Sequence, residues 1–329
     1  MKILVTGATG FIGSVLVHKL LSQGYSVRAL VLPGEECKNL SQAGVEIAYG
    51  DLTNTESIAG ICNGIHTVYH CAARVTDWGT KQQFYRAIYQ ATGNLLEESK
   101  SKIQRFVYLS SIAALGLGKH LKGKKETDPP QKSGVPYNDA KADTEILVKQ
   151  YHERYGFSCT IIRPANVIGA GSVWVRDIVA RLQSVTGVPL IDGGRYSASL
   201  VYVENLVDGI IRAGTMEIAK GKTYHFRDNW DVTWKQYITD LGKYIGKSPR
   251  GSIPFSVAWY SAVVLESLCN PLHIRSPLTR LAVAVMGRDN DVDTTLTQAE
   301  LGWRTMVAYD EAMQHIVKAA NSTMKCNTK

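Results

Sequence analysis

Hydrophobic positions in the first half of the chain follow two alternating patterns. Short runs rich in Val, Ile, Tyr and Phe are separated by longer stretches with apolar residues at helical spacing, as in β-α-β units on a parallel sheet. The short runs predict strands at Lys2–Thr6, Ser26–Leu32, Val45–Tyr49, Thr67–Cys71, Arg105–Ser110 and Ser158–Arg163. The longer stretches predict helices at Phe11–Gln23, Glu36–Ala43, Thr55–Ile61, Lys81–Lys100 and Pro136–Tyr155. After Gly171 the alternation weakens into a helix at Trp174–Ser184, a strand at Leu200–Val203, a helix at Glu204–Thr215 and a strand around Thr223–Phe226. From Trp230 onward the pattern is mainly helical, broken at Pro249, Pro254, Pro271 and Pro277. The expected class is α/β: a doubly wound parallel sheet over residues 1–170, with 200–228 returning to it, and a smaller, mostly helical C-terminal lobe from 171–199 and 229–329.

Composition narrows the class without changing it. The 329 residues are 45% hydrophobic and 20% charged, an ordinary globular balance that excludes disordered and fibrous classes. The formal net charge is +8, but Lys and Arg are scattered, and the densest run, Lys119 to Lys125, reads as a solvated basic loop with no nucleic-acid module around it. No nucleic-acid partner is expected; the positive field suits an anionic cofactor or substrate. Cysteines at 37, 62, 71, 159, 269 and 326 form no C-x-x-C pair and no zinc-like spacing with His, so neither a metal site nor a disulfide framework is expected. A reducing, cytoplasmic setting follows as the default. Met1–Val5 runs directly into a strand, with no leader pattern. The apolar stretch Ile253–Leu268 contains Pro254, Ser256, Ser261 and Glu266, so it falls short of a spanning helix. It reads as a core or lid helix, with contact to a membrane surface as the second reading.

The chemistry begins at the N-terminus. Gly7, Gly10 and Gly13 follow the first strand and open an apolar helix, together with Phe11 and Ile12. Glycines let backbone approach a pyrophosphate, and a helix N-terminus offers unpaired N–H groups and the positive end of its dipole, so this is a dinucleotide-binding fingerprint. Asp51-Leu52 follows the third strand, where the carboxylate can accept from an adenine amino group while Leu packs on the ring; a capping role for Asp51 competes and can coexist. The second strand ends in Leu32 rather than the carboxylate that commonly binds the ribose 2′-OH of NAD. That absence favours NADP over NAD, with Arg28 or Lys38 as the cation for its phosphate, although Glu35 and Glu36 stand close by. Tyr137 and Lys141, at i and i+4 in the first turns of a helix opened by Pro136, share one face. An ammonium beside a phenol favours the phenolate, so Tyr137 can exchange a proton with a substrate oxygen, and Lys141 can also bind ribose hydroxyls. Ser110 and Ser111 emerge at the carboxyl end of the fifth strand, Ser111 aimed at the reacting oxygen and Ser110 at the strand end or the nicotinamide. Ala72 and Ala73 leave room for a flat ring, whereas His70 and Cys71 read as packed core residues.

Taken together, T-G-A-T-G-F-I-G at Thr6–Gly13, G-D-L at Gly50–Leu52, H-C-A-A at His70–Ala73, S-S at Ser110–Ser111, Y-N-D-A-K at Tyr137–Lys141 and R-P-A-N-V-I-G at Arg163–Gly169 resemble the extended branch of the short-chain dehydrogenase/reductase superfamily, of epimerase/dehydratase type. The resemblance covers at least residues 1–210. It implies a Rossmann fold, Ser111, Tyr137 and Lys141 as the catalytic set, and cofactor contacts at Gly7, Gly10, Gly13, Asp51, Leu52 and Ala72, with Pro164 at the carboxamide end of the nicotinamide. Ser110–Gly116, Val75–Trp78, the segment 197–209 and Gln298–Trp303 look most like the 3β-hydroxysteroid dehydrogenase and dihydroflavonol reductase group. Ile88 stands where the family commonly has an Asn, which puts that residue's part in a proton relay in doubt. Ala-Leu-Gly after the serines leans away from nucleotide sugars.

The expected activity is NAD(P)-dependent interconversion of a secondary alcohol and a ketone on an apolar small molecule, in a pocket lined by Trp230, Trp234, Phe255, Trp259 and Tyr260. The alternatives are a nucleotide-sugar epimerase with tightly bound NAD, its diphosphate met by Arg176, Arg181, Arg195 and Arg212, and a silent dinucleotide sensor. The family resemblance also implies a homodimer through the helices at Lys81–Lys100 and Pro136–Tyr155.

Overall fold

Strands buried on both faces cannot alternate polar and apolar residues, and the first strand shows the consequence. Ile3 and Val5 face one hydrophobic layer, Leu4 faces the other, and all three are fully buried. The computed structural model describes residues 1–326, with side chains through residue 319, so residues 327–329 and the Cys326 side chain lie outside it.

Seven strands form the central sheet: Lys2–Thr6 (β1), Ser26–Val31 (β2), Glu46–Tyr49 (β3), Thr67–His70 (β4), Arg105–Leu109 (β5), Ser158–Pro164 (β6) and Thr223–Phe226 (β7). They pair in parallel in the order β7-β6-β5-β4-β1-β2-β3. The strand order reverses between β1 and β4, and in such sheets the crevice beyond the carboxyl ends at this switch point receives the ligand. Helices Phe11–Ser22 and Val203–Thr215 pack together on one side, and Ala91–Ser99 packs with Pro136–Tyr155 on the other.

Three small parallel pairs bind distant segments. Asn166–Ile168 pairs with Leu200–Tyr202, Leu190–Ile191 with Ser252–Ile253, and Leu121–Lys124 with Asn290–Val292. The last pair corrects the reading of the basic run as a free loop: Leu121 is buried and sets the strand, while Lys122 projects outward. Two helices also differ from expectation. Thr55–Ile61 keeps only a 3-10 turn at Glu56–Ile58, and the helix expected over Lys81–Lys100 breaks into Lys81–Phe84, a π segment at Tyr85–Gln90, and Ala91–Ser99. In the π segment the Ile88 carbonyl accepts from the Thr92 hydroxyl at 2.6 Å.

The Phe255–Cys269 helix is not a core helix. Only Ala258, Ala262 and Glu266 are buried along it, and no helix among the described residues is long and apolar enough to cross a membrane.

Candidate active site

The glycine loop is built so that a side chain at its tightest points has no room. Gly7 adopts φ 67°, and a Cβ there would lie 2.8 Å from the Ala72 backbone nitrogen; at Gly13 a Cβ would lie 2.0 Å from the Gly7 carbonyl oxygen. The helix Phe11–Ser22 opens at Gly10 with no side-chain cap, so its first-turn N–H groups face the loop without competition from a capping hydroxyl. This cradle at the carboxyl ends of β1 and β4 fits the pyrophosphate of a dinucleotide in shape and in dipole. Phe11 packs beneath it on Gly169, where a Cβ would come within 2.9 Å of the ring.

Ser111 ends β5 in extended conformation and caps the following 3-10 turn, accepting from the Ala113 N–H at 3.1 Å. Its hydroxyl neighbours the Tyr137 hydroxyl, which arrives from the first turn of the Pro136–Tyr155 helix. Burial pushes the Tyr137 hydroxyl up to about 12, with the nearby Ser111 hydroxyl pulling the other way. The expected phenolate at neutral pH is thus corrected: Lys141 does not hold Tyr137 ionised. Its ammonium donates to the Leu109 carbonyl at 2.7 Å and lies 4.8 Å from the centre of the Tyr108 ring. Burial lowers Lys141 to about 8, against the raising pull of Glu145 and Cys71. Phe84 meets the Tyr137 ring edge-on at 6.1 Å, and Ala73 and Ile88 complete this apolar wall.

Behind these residues lies a buried polar network anchored on Glu145, one helical turn past Lys141. Glu145 accepts from the Ser110 hydroxyl at 2.5 Å and from Arg163 Nη2 at 2.6 Å, and neither it nor Arg163 is exposed. Arg163 also reaches the Asp128 carbonyl at 3.2 Å. Ser110 is therefore spent on Glu145 rather than aimed at a ligand. The spacing from Tyr137 and Lys141 to Glu145 along one helix face is the signal that would have found it. His70 lies between the Thr6 and Thr92 hydroxyls, at 2.7 and 2.9 Å, and burial lowers it to about 3, so it is a neutral core residue.

The cofactor contacts expected from the sequence fall in two groups. Gly7, Gly10, Phe11, Ile12, Gly13 and Ala72 meet at the switch point; Ala73 joins Tyr137, and Pro164 closes β6, buried. Asp51 uses one carboxylate oxygen on the Thr53 N–H at 2.8 Å, and the Leu52 backbone carbonyl accepts from the Asn94 amide at 2.8 Å, so the Asp51 carboxylate and Asn94 fix this loop. Arg28 is a correction. Its guanidinium is held by Glu46 at 2.8 Å and by the Ile61 carbonyl at 2.7 Å, which turns it away from the cradle. In its place stands Glu35, whose carboxylate accepts from the Thr9 hydroxyl of the glycine loop at 2.8 Å. The turn Leu32–Glu35, closed by Glu35 N–H to the Leu32 carbonyl at 3.1 Å with Gly34 at φ 89°, folds this carboxylate back to the strand tip.

The aromatic pocket is corrected in part. Trp234 is core, packed on Trp174 at 5.4 Å and donating to the Val285 carbonyl, while Tyr260 is 70% exposed. Phe255 and Trp259 stack at 5.7 Å, and Trp230 packs on Tyr309.

A model of the NAD dependent epimerase/dehydratase family matches residues 3–225. The chain belongs to that family, and it is an NAD(P)-dependent enzyme. It is 30% identical over 325 residues to the 4-hydroxy-2-methyl-3-oxo-4-farnesyl-3,4-dihydroquinoline-1-oxide ketoreductase of Stigmatella aurantiaca, covering 97% of this chain and 96% of that one. It is 24% identical over 334 residues to the human sterol-4-alpha-carboxylate 3-dehydrogenase, decarboxylating, covering 96% and 87%. Both relatives agree with the likeness to the 3β-hydroxysteroid dehydrogenase group. Among solved structures, UDP-glucose 4-epimerase from Thermotoga maritima superposes with a TM-score of 0.78 at 24% identity, over 98% of this chain and 100% of that one, which establishes the shared fold.

Proposed function

We propose that this enzyme reduces a ketone on an apolar substrate to a secondary alcohol, and catalyses the reverse reaction, with Ser111, Tyr137 and Lys141 as its catalytic residues. The observation that carries the reading is the neighbouring pair of hydroxyls, Ser111 and Tyr137, with the buried Lys141 one helical turn on, beside the glycine cradle. A nicotinamide dinucleotide, when bound, supplies or accepts the hydride. Gly7, Gly10, Gly13, Phe11, Ile12, Asp51, Leu52, Ala72, Ala73 and Pro164 hold it. Tyr137, protonated at neutral pH, gives its proton to the carbonyl oxygen while Ser111 donates a hydrogen bond to the same atom. Lys141, its ammonium anchored on the Leu109 carbonyl, binds the ribose hydroxyls of the cofactor. Residues 171–199 and 229–329 form the substrate lobe. The ketoreductase and sterol dehydrogenase relatives both act on lipophilic molecules by name, in line with this assignment. Of the arginines considered for a sugar diphosphate, Arg212 pairs with Asp208 at 2.6 Å and Arg176 with Asp177 at 3.2 Å, and Arg195 donates to the Tyr196 hydroxyl at 2.9 Å.

A panel of cyclic ketones with NADH tests the assignment. Tyr137→Phe is expected to lower kcat on any substrate found by about a hundredfold or more while NADH affinity changes by less than about twofold; a Tyr137→Phe enzyme at the wild-type rate would overturn the mechanism. Interconversion of UDP-sugars without net NADH consumption would replace it with the epimerase reading.

The same proposal takes NAD as the cofactor, reversing the preference for NADP drawn from Leu32. The Glu35 carboxylate, held against Thr9, meets the adenosine ribose and repels a 2′-phosphate. Wild-type protein is expected to bind NADH at least about tenfold more tightly than NADPH, and Glu35→Gln to narrow that ratio, each read by fluorescence titration. Equal affinities in the wild type would refute the role of Glu35.

A further inference from the structure

We propose that the outer face of the Phe255–Cys269 helix, with the turn that follows it, docks the enzyme onto the surface of an anionic phospholipid bilayer. Val257, Tyr260, Val264, Leu268, Leu272 and Ile274 are 55%, 70%, 57%, 63%, 68% and 56% exposed. The first four recur at helical spacing and share one face. Scattered exposed apolar residues are ordinary on a protein surface, but a contiguous run of this kind marks a contact surface.

The charge around the face selects the occupant. Glu266 is the helix's one charged residue, and it turns inward, where its carboxylate binds Arg280 through both the backbone N–H and Nε at 2.6 Å. The exposed face is therefore uncharged. Lys247 and Arg250 stand exposed just before it, neither in an ion pair with the described residues, whereas Arg275, after it, is paired with Asp77 and Asp177. An apolar helix face with two exposed cations, Lys247 and Arg250, ahead of its N-terminal end, on a chain of net charge +8, matches an anionic lipid surface: the apolar side chains enter the headgroup–acyl boundary and these cations meet the lipid phosphates. The helix has 15 residues, a length of about 22 Å, against the roughly 30 Å of a hydrocarbon core, so it lies along the surface.

The inner side of the helix points to what docking achieves. Trp259 comes within 3.5 Å of where a Cβ on Gly118 would stand, just past the Ser111 turn. Arg280, held by the helix through Glu266, donates to the Gly134 carbonyl just before Tyr137. The docking helix thus abuts both segments that carry the catalytic hydroxyls, so a substrate dissolved in lipid would have a short path from the bilayer to the site. This benefit rests on the apolar-substrate reading; the docking itself is measured without turnover, so the two fail separately.

The experiment is co-sedimentation of the full chain with phosphatidylcholine vesicles, with and without phosphatidylglycerol. Wild-type protein is expected to pellet with the anionic vesicles and to be released by high salt. The double variant Val264→Glu, Leu268→Glu should lose at least about tenfold in partition coefficient, while Met306→Glu, at an apolar site 76% exposed elsewhere, behaves as wild type. Both positions in the double variant are exposed, and circular dichroism and NADH titration verify that its fold is kept. Wild-type protein left in the supernatant with anionic vesicles overturns the proposal, as does a double variant that pellets like wild type. Sedimentation velocity showing that the double variant alone loses a dimer overturns it in favour of a second copy of this chain on that face.

Discussion

Glu145 holds a buried hydroxyl and a buried guanidinium with one carboxylate. Ser110 approaches one oxygen and Arg163 binds both, at Nε distances of 2.9 and 3.0 Å. A fully buried ion pair adds little net stability when intact, because desolvating two charges offsets their attraction; removing one partner strands the other. Glu145→Ala is expected to destabilise the protein by about 3–5 kcal/mol, read from the urea midpoint. A loss below about 1 kcal/mol would mean that Arg163 finds another partner or water. The sequence shows Arg163 only as part of a motif and gives no sign that Glu145 is its counter-ion, since helix and strand meet only through the fold. Tyr137 teaches a related lesson. Its spacing to Lys141 is visible in the chain, but burial, which pushes it up to about 12, is a property of the packed site.

Among the elements, the helix Phe11–Ser22 depends on the loop before it. Gly13 sits in its first turn, where alanine would ordinarily be the better helix former. Here the added methyl would meet the Gly7 carbonyl oxygen at 2.0 Å, so backbone must move. Gly13→Ala is expected to lower NADH affinity by about tenfold or more and to destabilise by about 1–3 kcal/mol, checked by fluorescence titration and thermal melting. Unchanged affinity would show that the loop can yield without deforming the cradle. The helix Pro136–Tyr155 was legible to its last residue because Pro136 opens it and Gly156, at φ 72°, ends it. The π segment at Tyr85–Gln90 was not legible, because its sequence carries an ordinary helical pattern and its backbone follows from packing of Phe84 and Ile88 against Tyr137 and Ala140.

Across the whole molecule, three separate stretches meet at Arg275. Its guanidinium bonds Asp77, in the loop after β4, at 2.9 Å and Asp177, in the helix Val173–Gln183, at 2.6 Å. Thr279 also donates to Asp77 at 3.1 Å. Arg275 is part-exposed, so this seam contributes modestly to stability: Arg275→Ala is expected to cost less than about 1 kcal/mol. Its effect should be local, as faster chymotryptic cleavage near Leu268 and Leu272; an unchanged cleavage rate would argue that other contacts hold the seam. The sequence by itself determined the alternation of strands and helices, the glycine cradle and the pairing of Tyr137 with Lys141 on one helix face, because each depends on periodicity or on residues a few positions apart. The tertiary structure decided what those residues face. It placed Glu35 at the glycine loop, pinned Arg28 to Glu46, drew Lys141 to the Leu109 carbonyl and left one side of the Phe255–Cys269 helix uncovered. The physical reason is that charge pairing and burial depend on which distant segments come together, and local spacing does not encode that.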